Sequence, residues 1–442
     1  VPDKPLEELQ NRAKEVVRIA KEMGAKDSWA TASRSRSVDY IWRDGKIEQV
    51  QDSTSRAVSV EIYVDGRYAV HTTTDLRAGY LATFISEAVA LTRALEPDEF
   101  RQIPSPSLFA NRPNIPLEQM DLAIPALKLE NRDVWCREMD AVMRADSRVI
   151  SATSTVSDGH SMTAMASSNG FLGAEEETSV WLVGEVTVRD EGDKKPEGYH
   201  YTGGHQMRDL EKAPEVARKA LERALSRLGT RKGPTGRLSM VVDRQASGRL
   251  ISALLGPARA SAIQQKRSFW EGRIGQQVFG EALSLVDNPL LPRGLGSRLF
   301  DGEGISARSW PLVDRGTILN IYVDTYYGRK LGMSPTTGSS SNVILPPGEK
   351  SLDELLADAG SGVYVTSWLG GNSDATTGDF SFGIRGHLIE NGKIGAPIGE
   401  TNVTGNLMDL FRNLVTVGND PWPYSSVRVP SLLFKDIQFS GA

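Results

Sequence analysis

Apolar residues recur at helical spacing at the start of the chain, at Leu6, Leu9, Ala13, Val16, Val17, Ala20 and Met23, and Gly24 then offers a stop. This predicts an amphipathic helix. The pattern then changes to alternation. VDYIW and KIEQV are joined by Arg43, Asp44 and Gly45, and VSVEIYV and RYAVHTT by Asp65 and Gly66, which predicts two antiparallel hairpins. A second helix, about 75–95, is expected to cover the resulting sheet. Residues 96–124 are interrupted by repeated prolines that helix cannot cross. A middle region follows, with a helix ending near Ala145, strand-like segments SRVISATSTV, HSMTAMAS and SVWLVGEVTVRD, a turn at Asn169-Gly170, and a helix over about 211–228.

The basic stretch Arg227–Arg237 leads into a third region. It opens with the strand LSMVVD and a helix over about 244–259, and continues through TILNIYVD, SGVYVTSWL, a helix near 353–359 and a closing strand in SLLFKDIQFSG. Hairpins without regular βαβ alternation make the chain α+β, with largely antiparallel sheets, covering helices and a glycine-rich, mainly β C-terminal part. The division is 1–98, a linker over 99–124, a middle α+β region over 125–230, and 231–442.

Composition narrows the function. Of 442 residues, 51 are basic and 56 acidic, a net charge of -5, which argues against wrapping nucleic acid. No apolar run reaches membrane-spanning length, so no membrane association is expected. The single Cys136 has no intrachain disulfide partner and sits in the helical pattern DVWCREMDAVM. A buried structural thiol and a cytoplasmic address are expected, and the charged first helix shows no apolar signal core.

The chain has no HExxH, GxSxG, P-loop or dinucleotide fingerprint. His200 and His205, in EGYHYTGGH, invite a metal reading with Glu197, against a plain polar loop. GLGSRLFDGEG, 294–304, reads as a tight loop, because a phosphate loop's lysine and hydroxyl are missing. In SWLGGNSDATTGDFSFGIRG, Gly370, Gly371 and Gly378 permit close backbone approach among Asn372, Asp374, Thr377, Asp379 and Ser381. That surface suits an extended peptide held by main-chain bonds, or else two self-capped turns. Asn406 is placed to cap LMDLFRNLV, on which Asp409 and Arg412 can pair.

The order of ASRSRSVDYIWRDGKIEQV, SSNG at 167–170, FDGEG, YYGRKLG, TGDFSFG, GNLMDLFRN and VTVGND resembles the TldD/PmbA family, also called modulator of DNA gyrase, over nearly the whole chain, and most closely its PmbA (TldE) branch. The resemblance implies a cytoplasmic two-subunit protease acting on unfolded peptides, in peptide maturation or antitoxin turnover. In it, a TldD-type partner carries zinc on an HExxxH helix with a cysteine ligand. In this chain LISALLGP stands at the HExxxH position, so Ser252 replaces the first histidine, Ala253 the glutamate and Pro257 the second histidine. PWPYSSVRVP stands where the cysteine ligand should lie. The implied state is catalytically inactive alone, with no cofactor in this chain and zinc in the partner. Gly371, Asn372, Gly378 and Asp379 are then the expected substrate-facing residues, and no nucleic-acid partner is expected. A self-assembling peptide-binding scaffold, with a homodimer of the isolated chain, is the alternative. A hydrolase built on His200 and His205 is the third reading.

Overall fold

The computed structural model describes residues 4–441. The first two-thirds of the helical signals fall where the periodicity put them. In chain order the elements are α1 Lys4–Glu22, β1 Asp27–Arg43, β2 Lys46–Val64, β3 Arg67–Thr73, α2 Ala78–Arg93, α3 Leu129–Met143, β4 Val149–Ser167, β5 Leu172–Val188, β6 Glu197–Gly204 and α4 Ala213–Leu225.

The strands here are much longer than the alternating segments suggested. VDYIW is the end of β1, KIEQV and VSVEIYV are the two ends of β2, and SRVISATSTV and HSMTAMAS merge into β4. The polar centres between the apolar ends are held across the strands. Ser35 pairs with Ser55 at 2.7 Å, Ser37 with Ser53 at 3.1 Å, and Arg36 makes two bonds to the Asp52 carboxylate at 3.0 and 2.7 Å. Such cross-strand pairs extend a sheet beyond its buried part.

All six strands form one antiparallel sheet in the order β3-β2-β1-β4-β5-β6. It therefore runs through both regions flanking 99–124, because β1 pairs with β4. Even-numbered residues of β1 and β4 face the helices. Ala30, Ala32 and Ala166 pack with α1 and α2, while Tyr40, Trp42, Ala152 and Val156 pack with α3 and α4. A strand of 17 residues spans roughly 55 Å, long enough for two helix pairs to sit end to end on one face. The opposite face carries Trp29 and Met165, which meet Phe171 and Phe300. The segment between the two halves is a fastened strap. Arg329 donates to the carbonyls of Phe100, Gln102 and Ile103, and the Gln119 carbonyl accepts from the Thr178 amide at 2.9 Å.

The C-terminal elements are β7 Arg231–Lys232, β8 Gly236–Val242, α5 Arg244–Leu255, α6 Ala260–Gln264, β9 Leu285–Asp287, β10 Trp310–Asp314, β11 Thr317–Ile318, α7 Thr325–Leu331, β12 Val343–Ile344, α8 Leu352–Ala359, β13 Gly362–Trp368, β14 Asn372–Ser373, β15 Asp379–Glu390, β16 Lys393–Asn406, α9 Leu407–Arg412, β17 Leu414–Val417, β18 Val427–Arg428 and β19 Leu432–Gly441. The pairings β15–β13, β13–β8, β8–β19, β19–β16 and β16–β15 close a ring of five strands. Closure removes the exposed edges an open sheet would leave. Only β8–β13 within the ring is parallel. One face of these strands packs on α5 through Met240, Val242, Val363, Val365, Leu250 and Leu254, and the other on α8 through Val241, Tyr364, Leu433 and Leu355.

Two local expectations are corrected. TILNIYVD forms strand only over Thr317–Ile318, because Tyr322 turns inward to donate its hydroxyl to buried Asp287 at 2.7 Å. The helix expected over 244–259 stops at Leu255, and Pro257 lies beyond its end, as proline without an amide proton requires. Cys136 is buried as expected, and burial pushes its thiol up to about 12. Among the described residues no helix is long and apolar enough to cross a membrane.

Arg132 on α3 and Asp158 on β4 make a bidentate pair at 2.6 and 2.8 Å, with side-chain exposures of 3% and 4%. Asp158→Ala is expected to strand a buried guanidinium and lower stability by about 3–5 kcal/mol. Replacing both partners together with apolar residues should cost far less. Denaturant unfolding of the single and double variants checks this; equal losses would contradict it.

Candidate functional site

Helix α5 begins where the Asp243 carboxylate accepts the Gln245 amide at 3.0 Å. Its apolar face, Leu250, Ile251, Leu254 and Leu255, is buried. Arg249, Ser252 and Ala253 stand at i, i+3 and i+4 and so share the other face. They form one wall of a cleft of about 1080 Å³. The opposite wall is the β14–β15 hairpin, with Asn372 opposite Ser381 and Ser373 opposite Phe380.

The cleft brings together Ser252, Ala253, Gly371, Asn372 and Asp379, which the sequence holds more than a hundred residues apart. Two predicted residues are elsewhere. Gly378 sits behind the wall against Asn406 and Phe269. Pro257 is buried past the helix end, where its carbonyl accepts the Ser268 hydroxyl at 2.6 Å. Sequence reasoning missed Arg249, Arg267, Phe380 and Phe382, which also line the cleft. Arg249 was accessible from its three-residue spacing to Ser252, and the two phenylalanines from alternation in DFSF.

The walls are tied to each other and pre-organised. Arg249 donates to the carbonyls of Gly370 and Gly371, both at 3.1 Å, with its guanidinium 4.8 Å from the Phe382 ring centre. The turn between β14 and β15 caps itself. The Asp374 carboxylate accepts the Thr376 amide at 2.7 Å, and the Asp374 carbonyl accepts the Gly378 amide at 2.8 Å. Asp379 accepts from the Asn406 amide group at 3.0 Å and the Thr377 hydroxyl at 2.9 Å. Those bonds, Asn406 first, hold its carboxyl below the usual range. This glycine-rich stretch is thus a self-capped turn, and that turn is also a cleft wall. Asn406 caps α9 as well, accepting the Met408 amide at 3.0 Å, and Arg412 pairs with Asp409 at 2.7 Å.

No proton-transfer pair is present in the cleft. The Ser252 hydroxyl donates to the Gly248 carbonyl one turn back, at 2.8 Å, and Ala253 carries no polar atom. A zinc site needs three protein donors of imidazole, thiolate or carboxylate type, and this set does not fit one. Among the described residues no group of three or more His, Cys, Asp and Glu could hold a metal ion.

His200 and His205 are not a loop pair. His200 lies in β6 opposite Gly184, and His205 follows the strand. His200 Nε2 approaches the Glu211 carboxylate at 3.3 and 3.4 Å. Both ring nitrogens of His205 face carbonyls, Thr178 at 2.7 Å and Gly294 at 3.3 Å, so His205 has no free nitrogen to share an ion with His200. Burial pushes the Glu211 carboxyl up, but bonds from His200 and from Lys219, the latter at 2.8 Å, more than offset it and hold it at about 2. The tight loop at 294–304 is likewise internal, with Asp301 accepting the Glu303 and Ile305 amides at 3.0 and 2.9 Å.

Matches to sequence families agree with this layout. The domain 1, central and C-terminal models of the PmbA/TldA metallopeptidases match residues 31–92, 123–228 and 235–441. The chain belongs to the PmbA/TldD family. It is 28% identical over 413 residues to the metalloprotease PmbA of Escherichia coli O157:H7, covering 92% of this chain and 91% of that one. A Bacteroides thetaiotaomicron structure named as a candidate modulator of DNA gyrase is 36% identical with a TM-score of 0.94, covering 98% of this chain and 99% of that one. The fold is shared with TldE from Thermococcus kodakarensis, at 16% identity and a TM-score of 0.87 over 97% of this chain and 100% of that one.

Two outcomes are expected. Gly371 has φ +92°, and a Cβ there would meet the Ser381 carbonyl oxygen at 2.1 Å, whereas at Gly378, φ +87°, the nearest atoms are Asn406 side-chain atoms at 3.2 Å. Gly371→Ala should therefore destabilise by about 2–3 kcal/mol and Gly378→Ala by less, as read from unfolding curves. For Glu211 the folded value is below the unfolded one, so its stabilisation is present above about pH 4.5 and lost as pH falls toward about 2. Glu211→Gln should flatten the stability profile within that window; an unchanged acid limb would contradict the assignment.

Proposed function

We propose that this chain is the zinc-free subunit of a two-subunit PmbA/TldD metallopeptidase. In this reading a TldD-type partner bearing HExxxH supplies the zinc and this chain supplies part of the chamber that holds unfolded peptide. The single observation that carries the reading is the α5 face. It points into the cleft of about 1080 Å³, yet offers a committed hydroxyl at Ser252 and a methyl at Ala253 where activating a metal-bound water needs imidazoles and a carboxylate. The relatives' names associate the family with metal-dependent proteolysis, so the chemistry is assigned to the assembly.

Peptide is held here through backbone. β14 ends the strand order of its sheet, and an extended segment can add beside it by main-chain bonds. Arg249, Arg267, Asp374 and Asp379 all line the cleft, charges that can orient a bound segment. The reading places the complex in the cytoplasm, where the buried thiol of Cys136 stays reduced.

The test is turnover of an unfolded peptide by this chain, by an HExxxH-bearing partner and by the reconstituted pair. Chelator-sensitive cleavage is expected from the pair and none from this chain alone. Ser252→His, Ala253→Glu and Pro257→His combined should not give stoichiometric zinc by elemental analysis, because position 257 lies beyond the end of α5. Robust chelator-sensitive turnover by partner-free wild-type chain would overturn the assignment.

A further inference from the structure

A second cavity, of about 300 Å³, lies between α4 of the central domain and the C-terminal ring. Four cationic side chains line it, Lys219, Arg223, Arg227 and Arg244, against two acids, Glu222 and Asp243. Lys219 is paired with Glu211 at 2.8 Å, and Arg223 with Asp243 at 3.3 Å. Asp243 also accepts the Tyr364 hydroxyl at 2.6 Å.

The other two cations make no ion pair among the described residues. Arg244 lies with its guanidinium 5.4 Å from the Trp422 ring centre and makes no ion pair among the described residues. Arg227 is only 7% exposed, yet its guanidinium bonds to neutral oxygens alone, the Glu197 carbonyl and the Ser367 hydroxyl. Burial, then the neighbouring Arg385 and Arg223, pull it down to about 10. Glu197 and Tyr199 oppose this only weakly, and a guanidinium taken out of water without an ion-pair partner is unfavourable. Nδ1 of His200 and of His387, both residues that line the cavity, also lack a hydrogen-bond partner; because Nε2 of His387 donates to the Ser226 carbonyl at 2.9 Å, its Nδ1 is an acceptor and adds nothing to anion affinity. Each belongs to a ring more than nine-tenths buried. Helix α5 starts at this wall, so its amino-terminal dipole adds positive potential.

We infer that the cavity between α4 and the C-terminal ring is a binding site for a small dianionic oxyanion, held by Arg227 and Arg244. Two unpaired guanidiniums match two negative charges, and planar N–H forks suit oxyanions in particular. The volume admits a phosphate, a short phosphomonoester or a dicarboxylate. The anion would join the central domain, through Arg227, to the amino terminus of α5, through Arg244. The carboxyl end of that helix carries the cleft wall.

The test is calorimetric titration of the full chain with inorganic phosphate and, separately, with succinate, at ionic strength held constant with potassium chloride. Saturable one-site binding of at least one anion is expected. Arg227→Gln and Arg244→Gln should each weaken it at least about tenfold, while Arg315→Gln, at an exposed pair with Glu281, should not. Phosphate alone, succinate alone or both would each support the site and separate the sources. If Arg227→Gln does not fold, the half-buried Arg244 decides. No saturable binding of either anion, or binding that Arg244→Gln leaves unchanged, would overturn the inference.

Discussion

Strand β1 pairs with β4 residue by residue from Trp29 opposite Ser167 to Arg43 opposite Thr153, and the parity of that register fixes which side chains meet which layer. With even positions toward the helices, Ala30 and Ala32 accept the close approach of α1 and α2, while Tyr40 and Trp42 fill the space under α3 and α4. Odd positions send Trp29 and Met165 toward Phe300 and the C-terminal part. A one-residue slip would exchange these sets, unpair Arg132 from Asp158, and remove the aromatic contact with the C-terminal part. The central polar stretch tolerates water on both sides because its hydroxyls and ions are satisfied across the strands.

From that base the C-terminal ring is positioned and α5 is carried between two chemically different walls. At its amino end is a cavity lined by four cations and two acids, and at its carboxyl end a cleft whose helix wall carries no proton-transfer pair. The helix is held by its apolar face, by the Asp243 cap and by the Trp368 indole, which donates to the Ala246 carbonyl at 2.8 Å. None of these contacts uses the side chain of Ser252, which is exposed, whereas Ala253 packs at the edge of the core and Pro257 is buried beyond the helix end.

The sequence made the helices legible because apolar spacing reports burial directly, and it placed the glycine-rich turn because positive φ needs glycine. It did not reveal the length of β1, β2 and β4, since Ser35, Ser37, Ser53 and Ser55 pair with one another instead of packing in a core. TILNIYVD looked like strand because it is a short run rich in β-branched and aromatic residues; the Tyr322 bond to Asp287 is a long-range contact invisible locally. At the site, Ser252, Ala253, Gly371, Asn372 and Asp379 were anticipated as two unrelated groups. Their meeting across one cleft depends on the β13–β8 parallel pairing and the β14–β15 hairpin, which no spacing encodes. His200 and His205 failed as a pair because adjacent places in sequence fall on a strand and past its end, with separate partners.

The same separation explains how a protease family can contain a chain of this kind. The shape of the cleft rests on Arg249 bound to two glycine carbonyls, on the backbone at Gly371 and on Asn406 bridging Thr377 and Asp379. Metal chemistry would rest on different atoms, at Ser252, Ala253 and 257, whose side chains bear none of the load of the cleft. Of these, Ser252 is exposed and satisfies its hydroxyl within its own helix, Ala253 packs at the margin of the core and Pro257 is buried, so replacing Ser252 leaves the walls in place, while replacing Arg249 or Gly371 would alter them. In the proposed reading, a chain that presents walls while another subunit contributes the metal is constrained at the residues this structure ties together.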